Sequence, residues 1–226
     1  MRLRTEVLGF AAVLMTLPFA AQATSVQVDD GQTSVVFGFG ALESIGLQIT
    51  GIDGATIAPG SLGPNSVAFP IAAATTFVYE PGTLAPFAGA IEHAGGVSFT
   101  DIASGTVDLT LGDFTIGYDA NRIGGANPDA TGFFVQDNID TGAILFDITN
   151  PIIEAFENSL IIAADIAISE ELSDFLNSQG LVSQDVTGVD AGAALVVANS
   201  SIIPVPAAVW LFGSALALLG WARRKP

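Results

Sequence analysis

From Ser25 onward the apolar residues of this chain fall in short runs or alternate with polar ones, broken at close intervals by Gly, Pro, Asn or Asp. A period of two puts successive side chains on opposite faces of an extended backbone, so these runs predict β-strands. They cover residues 33–39, 42–50, 66–69, 75–79, 90–92, 96–100 and 106–111, and resume at 133–136, 143–149, 160–168 and 193–198. The clearest alternation sets Val107, Leu109 and Leu111 against Thr106, Asp108 and Thr110. After Gly112-Asp113 it continues with Phe114, Ile116 and Tyr118, which predicts a hairpin with an apolar inner face. One helix is predicted: Ser169 caps it, Glu170 and Glu171 suit the positive end of its dipole, Leu172, Phe175 and Leu176 share a face, and Gly180 ends it. Asn150-Pro151 reads either as the start of a second helix through Glu157 or, with β-branched Ile152 and Ile153, as more strand. Residues 199–203 read as a short spacer. The expected fold is mainly β, an antiparallel sandwich or barrel-like single domain with one short helix.

The two ends follow a different pattern. Arg2 and Arg4 precede the apolar residues 7–21, and Ala21-Gln22-Ala23 is a small-x-small cleavage site, so 1–23 reads as a signal peptide cut by signal peptidase after Ala23. At the other end, 205–222 holds 18 residues without a charge. As a helix it covers about 27 Å, close to the roughly 30 Å hydrocarbon core of a bilayer. Arg223, Arg224 and Lys225 follow it and place the C-terminus on the cytoplasmic side. A signal helix, an extracytoplasmic domain over 24–199 and a tail over 200–226 with a transmembrane helix at 205–222 are the expected divisions.

The tail, Pro-Val-Pro-Ala-Ala-Val-Trp-Leu-Phe-Gly-Ser-Ala-Leu-Ala-Leu-Leu-Gly-Trp-Ala-Arg-Arg-Lys over 204–225, resembles the PEP-CTERM sorting signal of exported proteins of Gram-negative bacteria. The resemblance covers about a tenth of the chain, and Val205 stands where the name-giving pattern has Glu. It implies that a membrane-embedded exosortase recognises Pro204, Val205 and Pro206 and processes the tail. The body is then held at the inner membrane, facing the periplasm, until it passes to the cell surface or into exopolysaccharide.

Charge sharpens this picture. The chain carries a formal charge of −17, but between Thr24 and Ile203 there are 22 acids and one base, Arg122. Such a field repels phosphate backbones, which are held by Lys and Arg, and so excludes nucleic acid as a partner. Cysteine is absent, so the fold rests on burial without disulfides.

Few residues offer chemistry. The sole histidine, His93, is a candidate ligand for a metal or haem. Its surroundings, Gly89-Ala-Ile-Glu-His93-Ala-Gly95, together with Tyr118, resemble the Gly-x-x-x-His-x-Gly pattern of HtaA-type haem-binding β-sandwiches, which implies Tyr and His serving a haem. Nucleophile elbows, paired metal-spaced histidines and phosphate loops are missing, and with one His and one body Arg the expectation is that the protein is not an enzyme. Carboxylate-based glycoside hydrolysis is the remaining catalytic alternative. Both Trp residues lie in the tail, which leaves Tyr79 and Tyr118 as the body's amphipathic aromatics for a sugar. For calcium, Asp137, Asn138 and Asp140 cluster three oxygen side chains at one turn, and Asp29-Asp30-Gly31 forms a similar group. The composite expectation is an exported surface or matrix protein, structural in role, with a binding module for calcium, carbohydrate or haem as the alternative.

Overall fold

The longest alternating segments become the longest strands. The computed structural model describes residues 24–38, 43, 47–101 and 109–204. The expected signal peptide with Ala21 and Ala23, the apolar stretch 205–222 and Val205, Pro206, Arg223, Arg224 and Lys225 lie outside the described residues. Thirteen strands are described: β1 (Val26–Phe37), β2 (Leu47–Asp53), β3 (Ser66–Pro70), β4 (Val78–Glu80), β5 (Leu84–Ala88), β6 (Ile91–Glu92), β7 (Gly96–Asp101), β8 (Leu109–Gly112), β9 (Thr115–Tyr118), β10 (Phe133–Gln136), β11 (Ile144–Ala155), β12 (Ser159–Ile168) and β13 (Asp190–Ile202). Helix α1 (Glu170–Ser178) sits between β12 and β13.

All strand pairs are antiparallel. One large sheet runs β5-β4-β1-β13-β12-β11-β10-β9-β6, with β3 also on β1, and a small sheet runs β2-β7-β8. The large sheet curls into a half-barrel, and the segment after β3 links β1 to the edge strand β6. Ile71 N donates to Gly31 O on β1 (2.9 Å), while Ala72 N donates to Glu92 O on β6 (2.7 Å) and Ala94 N to Pro70 O (3.0 Å). Inside the curl one apolar cluster gathers Val26, Tyr79, Ile91, Ile116, Leu160 and Val196. A second, containing Phe37, Phe69, Phe99, Leu111, Phe146 and Leu176, joins the half-barrel to the small sheet and α1. Phe69 and Phe114 meet edge to face at 4.8 Å there.

Helix α1 forms as its sequence dictates: Ser169 Oγ accepts from Leu172 N at 3.0 Å, Glu170 and Glu171 occupy the first turn, and Leu172 and Leu176 are buried. Three expectations change. Of the expected hairpin over 106–118, the described residues 109–118 do not form one, because β8 pairs with β7 in the small sheet while β9 pairs with β10 and β6 in the large one. The chain switches sheets at Gly112-Asp113, where Asp113 has a φ of 45° and a Cβ on Gly112 would lie 2.5 Å from Gly95 O. Residues 150–155 are strand: the β-branched isoleucines win, and Pro151, which has no N–H to donate, falls in a bulge between Thr149 and Ile152. The residues read as a spacer after 198 continue β13 to Ile202, paired with Val26, and Ile203 N donates to Ser25 O at 3.0 Å. Both ends of the body therefore leave it side by side.

Candidate functional site

Three aromatic rings from three strands meet at the surface. Tyr118 closes β9 and Phe133 opens β10, and the antiparallel register makes them direct partners. Phe87 of β5 completes the triangle, with ring centroids 4.9 Å from Tyr118, 5.2 Å from Phe133, and 5.0 Å between the latter two. Gly132, with φ 93°, lets the backbone pass under the phenol, since a Cβ there would lie 2.7 Å from Tyr118 Cε2. Behind Phe87 the buried Phe77 stacks at 5.9 Å and anchors the triangle to the core. Tyr118 is 40% exposed although alternation places it inward, because at the end of β9 the sheet no longer covers it. The exposed Asp119 beside it has its Oδ1 held by Asn121 N and Nδ2, both at 2.9 Å, so a carboxylate and an amide flank the rings. An apolar ring surface with a polar rim is the arrangement that receives the C–H face and hydroxyls of a sugar.

His93 faces the other way. It is 4% exposed, its Nδ1 lies 2.9 Å from Phe114 O and its Nε2 2.6 Å from Thr33 Oγ1. The neutral tautomer that donates from Nδ1 to the carbonyl and accepts the Thr33 hydroxyl at Nε2 satisfies both contacts. Burial drives its pKa down to about 4, the Phe114 hydrogen bond opposing only in part. The adjoining apolar cavity, lined by Phe69, Phe114 and Phe146 among others, holds about 40 Å³. That space suits a water-sized guest, not a macrocycle. Tyr118 and His93 are thus not brought together on one ligand face: one is at the surface, and the other ties β1 to the residue that leads into β9 from within.

The acidic turn is also occupied by its own chain. Asp137 is fully buried. Its Oδ1 accepts from Gly112 N (2.8 Å) and Ile139 N (3.2 Å), and its Oδ2 from Asp140 N (3.1 Å), Thr141 N (2.7 Å) and Thr141 Oγ1 (2.8 Å). Burial pulls its pKa up, but these hydrogen bonds outweigh it and hold the carboxyl below its usual range. Asn138 Nδ2 donates to Thr115 Oγ1 at 2.8 Å, and Asp140 Oδ2 accepts from Thr110 N at 2.7 Å. The three residues staple β8 and β9 to the loop after β10. Asp29 and Asp30 accept from Ser201 and Asn199 across the β1–β13 pair. No group of three or more His, Asp or Glu side chains with metal-holding geometry occurs among the described residues. Replacing Asp137 by Ala is expected to cost about 2 kcal/mol, by stranding buried donors, and to cost the same in calcium and in chelator. Urea denaturation in both buffers measures it, and a loss confined to calcium buffer would make Asp137 a ligand.

Of the residues expected to act in sorting, Pro204 is described, exposed and one residue beyond the Ile203–Ser25 hydrogen bond. Phe87 and Phe133 were not legible as site residues, since nothing in their spacing from Tyr118 signals contact; the strand pairing alone joins them.

No family model matches the sequence, and no curated protein matches it. Among solved structures, the C-terminal domain of HtaA from Corynebacterium glutamicum is similar in shape, with a TM-score of 0.46 and 12% identity over 78% of this chain and 99% of that domain. The likeness is too loose to transfer a ligand.

Proposed function

We propose that this is an exported, tail-sorted protein whose β-rich body is a carbohydrate-binding module of the cell surface or extracellular matrix, with exopolysaccharide as its partner. The surface triangle of Phe87, Tyr118 and Phe133 carries the reading. It supplies the aromatic platform that two tyrosines and two tail tryptophans fail to supply as isolated residues. The role is binding without turnover.

The address comes from the sequence: signal peptidase cuts after Ala23, the helix at 205–222 holds the body in the periplasm, and an exosortase acts at Pro204–Pro206. The side-by-side exit of Ser25 and Ile203 supports this reading, because a body tethered through its C-terminus then hangs from one end. β13 has 13 residues, up to about 40 Å of extended chain, so its Asp190 end projects away from the membrane. The dense negative charge suits a hydrated, cation-rich matrix.

Affinity electrophoresis of the body through gels containing the producing cell's exopolysaccharide tests the proposal. Retardation is expected for the native chain, and Tyr118→Ala, with its fold checked by circular dichroism at the temperature of the gel, is expected to weaken binding about tenfold, equivalent to about 1.4 kcal/mol. Equal mobility of both chains, with and without polysaccharide, would refute it.

A further inference from the structure

Three large apolar side chains stand in water at the end of the body from which the chain leaves: Phe156 is 49% exposed, Ile202 52% and Ile203 39%. Register and hydrogen bonds bring them to that one end. Val26 pairs with Ile202 on one side and with Tyr79 on the other, so the turn between β4 and β5 lies level with the exit. Gly82 N in that turn donates to Ala155 O at 2.7 Å, which draws in the turn between β11 and β12 that bears Phe156. Buried Tyr79 fixes it there, its hydroxyl 2.7 Å from Phe156 O and 2.9 Å from Ser200 Oγ. Apolar side chains held in water at fixed places forgo the gain of burial, and a group of them at one end marks a contact surface.

The chain that follows identifies what covers this end. The uncharged apolar stretch 205–222 starts two residues after Ile203, a reach of at most about 7 Å. The headgroup layer of a bilayer is itself about 5–7 Å thick. With that stretch in the hydrocarbon, which is the proposed tail reading on which this inference rests, Ile202 and Ile203 stand at the headgroup layer. We infer that this end of the body docks on the bilayer, Phe156 entering the interface beside Ile202 and Ile203, so that the body stands on the membrane instead of swinging from its tether. Glu80 and Glu157, next to Tyr79 and Phe156, repel anionic headgroups, so the surface that fits is zwitterionic. Docking holds Pro204 at the lipid boundary.

Fluorescence quenching on the full chain in phosphatidylcholine vesicles tests this, because a chain without cysteine accepts a single labelled one. The fluorophore is placed through Asn158→Cys, exposed in the Phe156 turn, or through Asn177→Cys, exposed on α1 at the opposite end, and the vesicles carry nitroxides on their headgroups. Flotation with the vesicles reads the tail, and quenching reads the docking. Both labelled chains are expected to float, with quenching at 158 at least about threefold stronger than at 177, and Phe156→Ser is expected to bring it down toward the level at 177. Floating chains with equal, weak quenching at both positions, or with quenching at 158 unchanged by Phe156→Ser, would overturn the docking and leave the tail reading standing. Contact between labels at 158 without quenching by lipid would seat a second copy on this end and overturn it likewise. Chains that do not float would overturn the tail reading and the docking together.

Discussion

Replacing Arg122 by Met is expected to lower the unfolding free energy by about 3–5 kcal/mol, the range seen when one partner of a buried ion pair is removed. Arg122 follows Asp119, whose side chain caps a single turn of 3-10 helix, and this turn aims the guanidinium inward. Nε and Nη2 donate to Asp147 Oδ1 at 2.9 and 2.8 Å, while Nη1 and Nη2 donate to Glu171 at 2.6 and 3.0 Å. The Asp147 side chain is only 3% exposed, so losing the arginine strands a carboxylate inside β11. Glu171 is 40% exposed and contributes less, since water screens it. Hydrogen bonding to Glu171 and the charge of both acids keep Arg122 protonated throughout the accessible pH range, despite partial burial. In a body with 22 acids the one base serves to fasten α1 to β11. Urea denaturation measures the loss, and a second substitution, Asp147→Leu, should recover most of it by removing the stranded charge. A single variant within 1 kcal/mol of the native chain would show that the pair contributes little.

Acid is expected to remove about 3 kcal/mol of stability through His93 alone. Its folded pKa of about 4 lies below the ordinary value of 6.5. The unfolded chain therefore takes up a proton between those two pH values while the folded chain does not, and stability falls as pH falls through that window. At about 1.36 kcal/mol per unit, two and a half units give about 3 kcal/mol, complete near pH 4 and absent above 6.5. The cause is burial: a charged ring between Thr33 and Phe114 would lose its hydration, and its Nε2 could no longer accept the Thr33 hydroxyl. Carboxylates titrate in the same region, so the useful quantity is a difference. The stability gap between the native chain and His93→Gln should narrow by about 3 kcal/mol from pH 6.5 to pH 4. A gap that stays constant would mean that His93 is not held neutral.

Local rules wrote most of the strands into the sequence. Alternation marks β3, β7, β12 and much of β13, and the Ser169 cap with its two glutamates marks α1, because each depends on neighbours a few residues apart. What depends on partners far along the chain was hidden. The even alternation on either side of Gly112-Asp113 fits a hairpin and a sheet switch equally well, and the pairing of β8 with β7 decides between them. Pro151 argues against strand until a bulge absorbs it. The aromatic triangle unites residues from β5, β9 and β10, so no window of sequence contains it. His93 looked like a free ligand because its two partners, Thr33 and Phe114, lie 60 and 21 residues away.

Recovering the protein from intact producing cells brings address and binding together in one observation. Cells are fractionated into cytoplasm, membranes and extracted surface polysaccharide, and the chain in each fraction is read by mass spectrometry, for the native protein and for Tyr118→Ala. The expected result is a native chain beginning at Thr24 and held in the polysaccharide fraction, with the variant equally processed but released from it. A cytoplasmic chain that still begins at Met1, or a variant retained as firmly as the native protein, would contradict it.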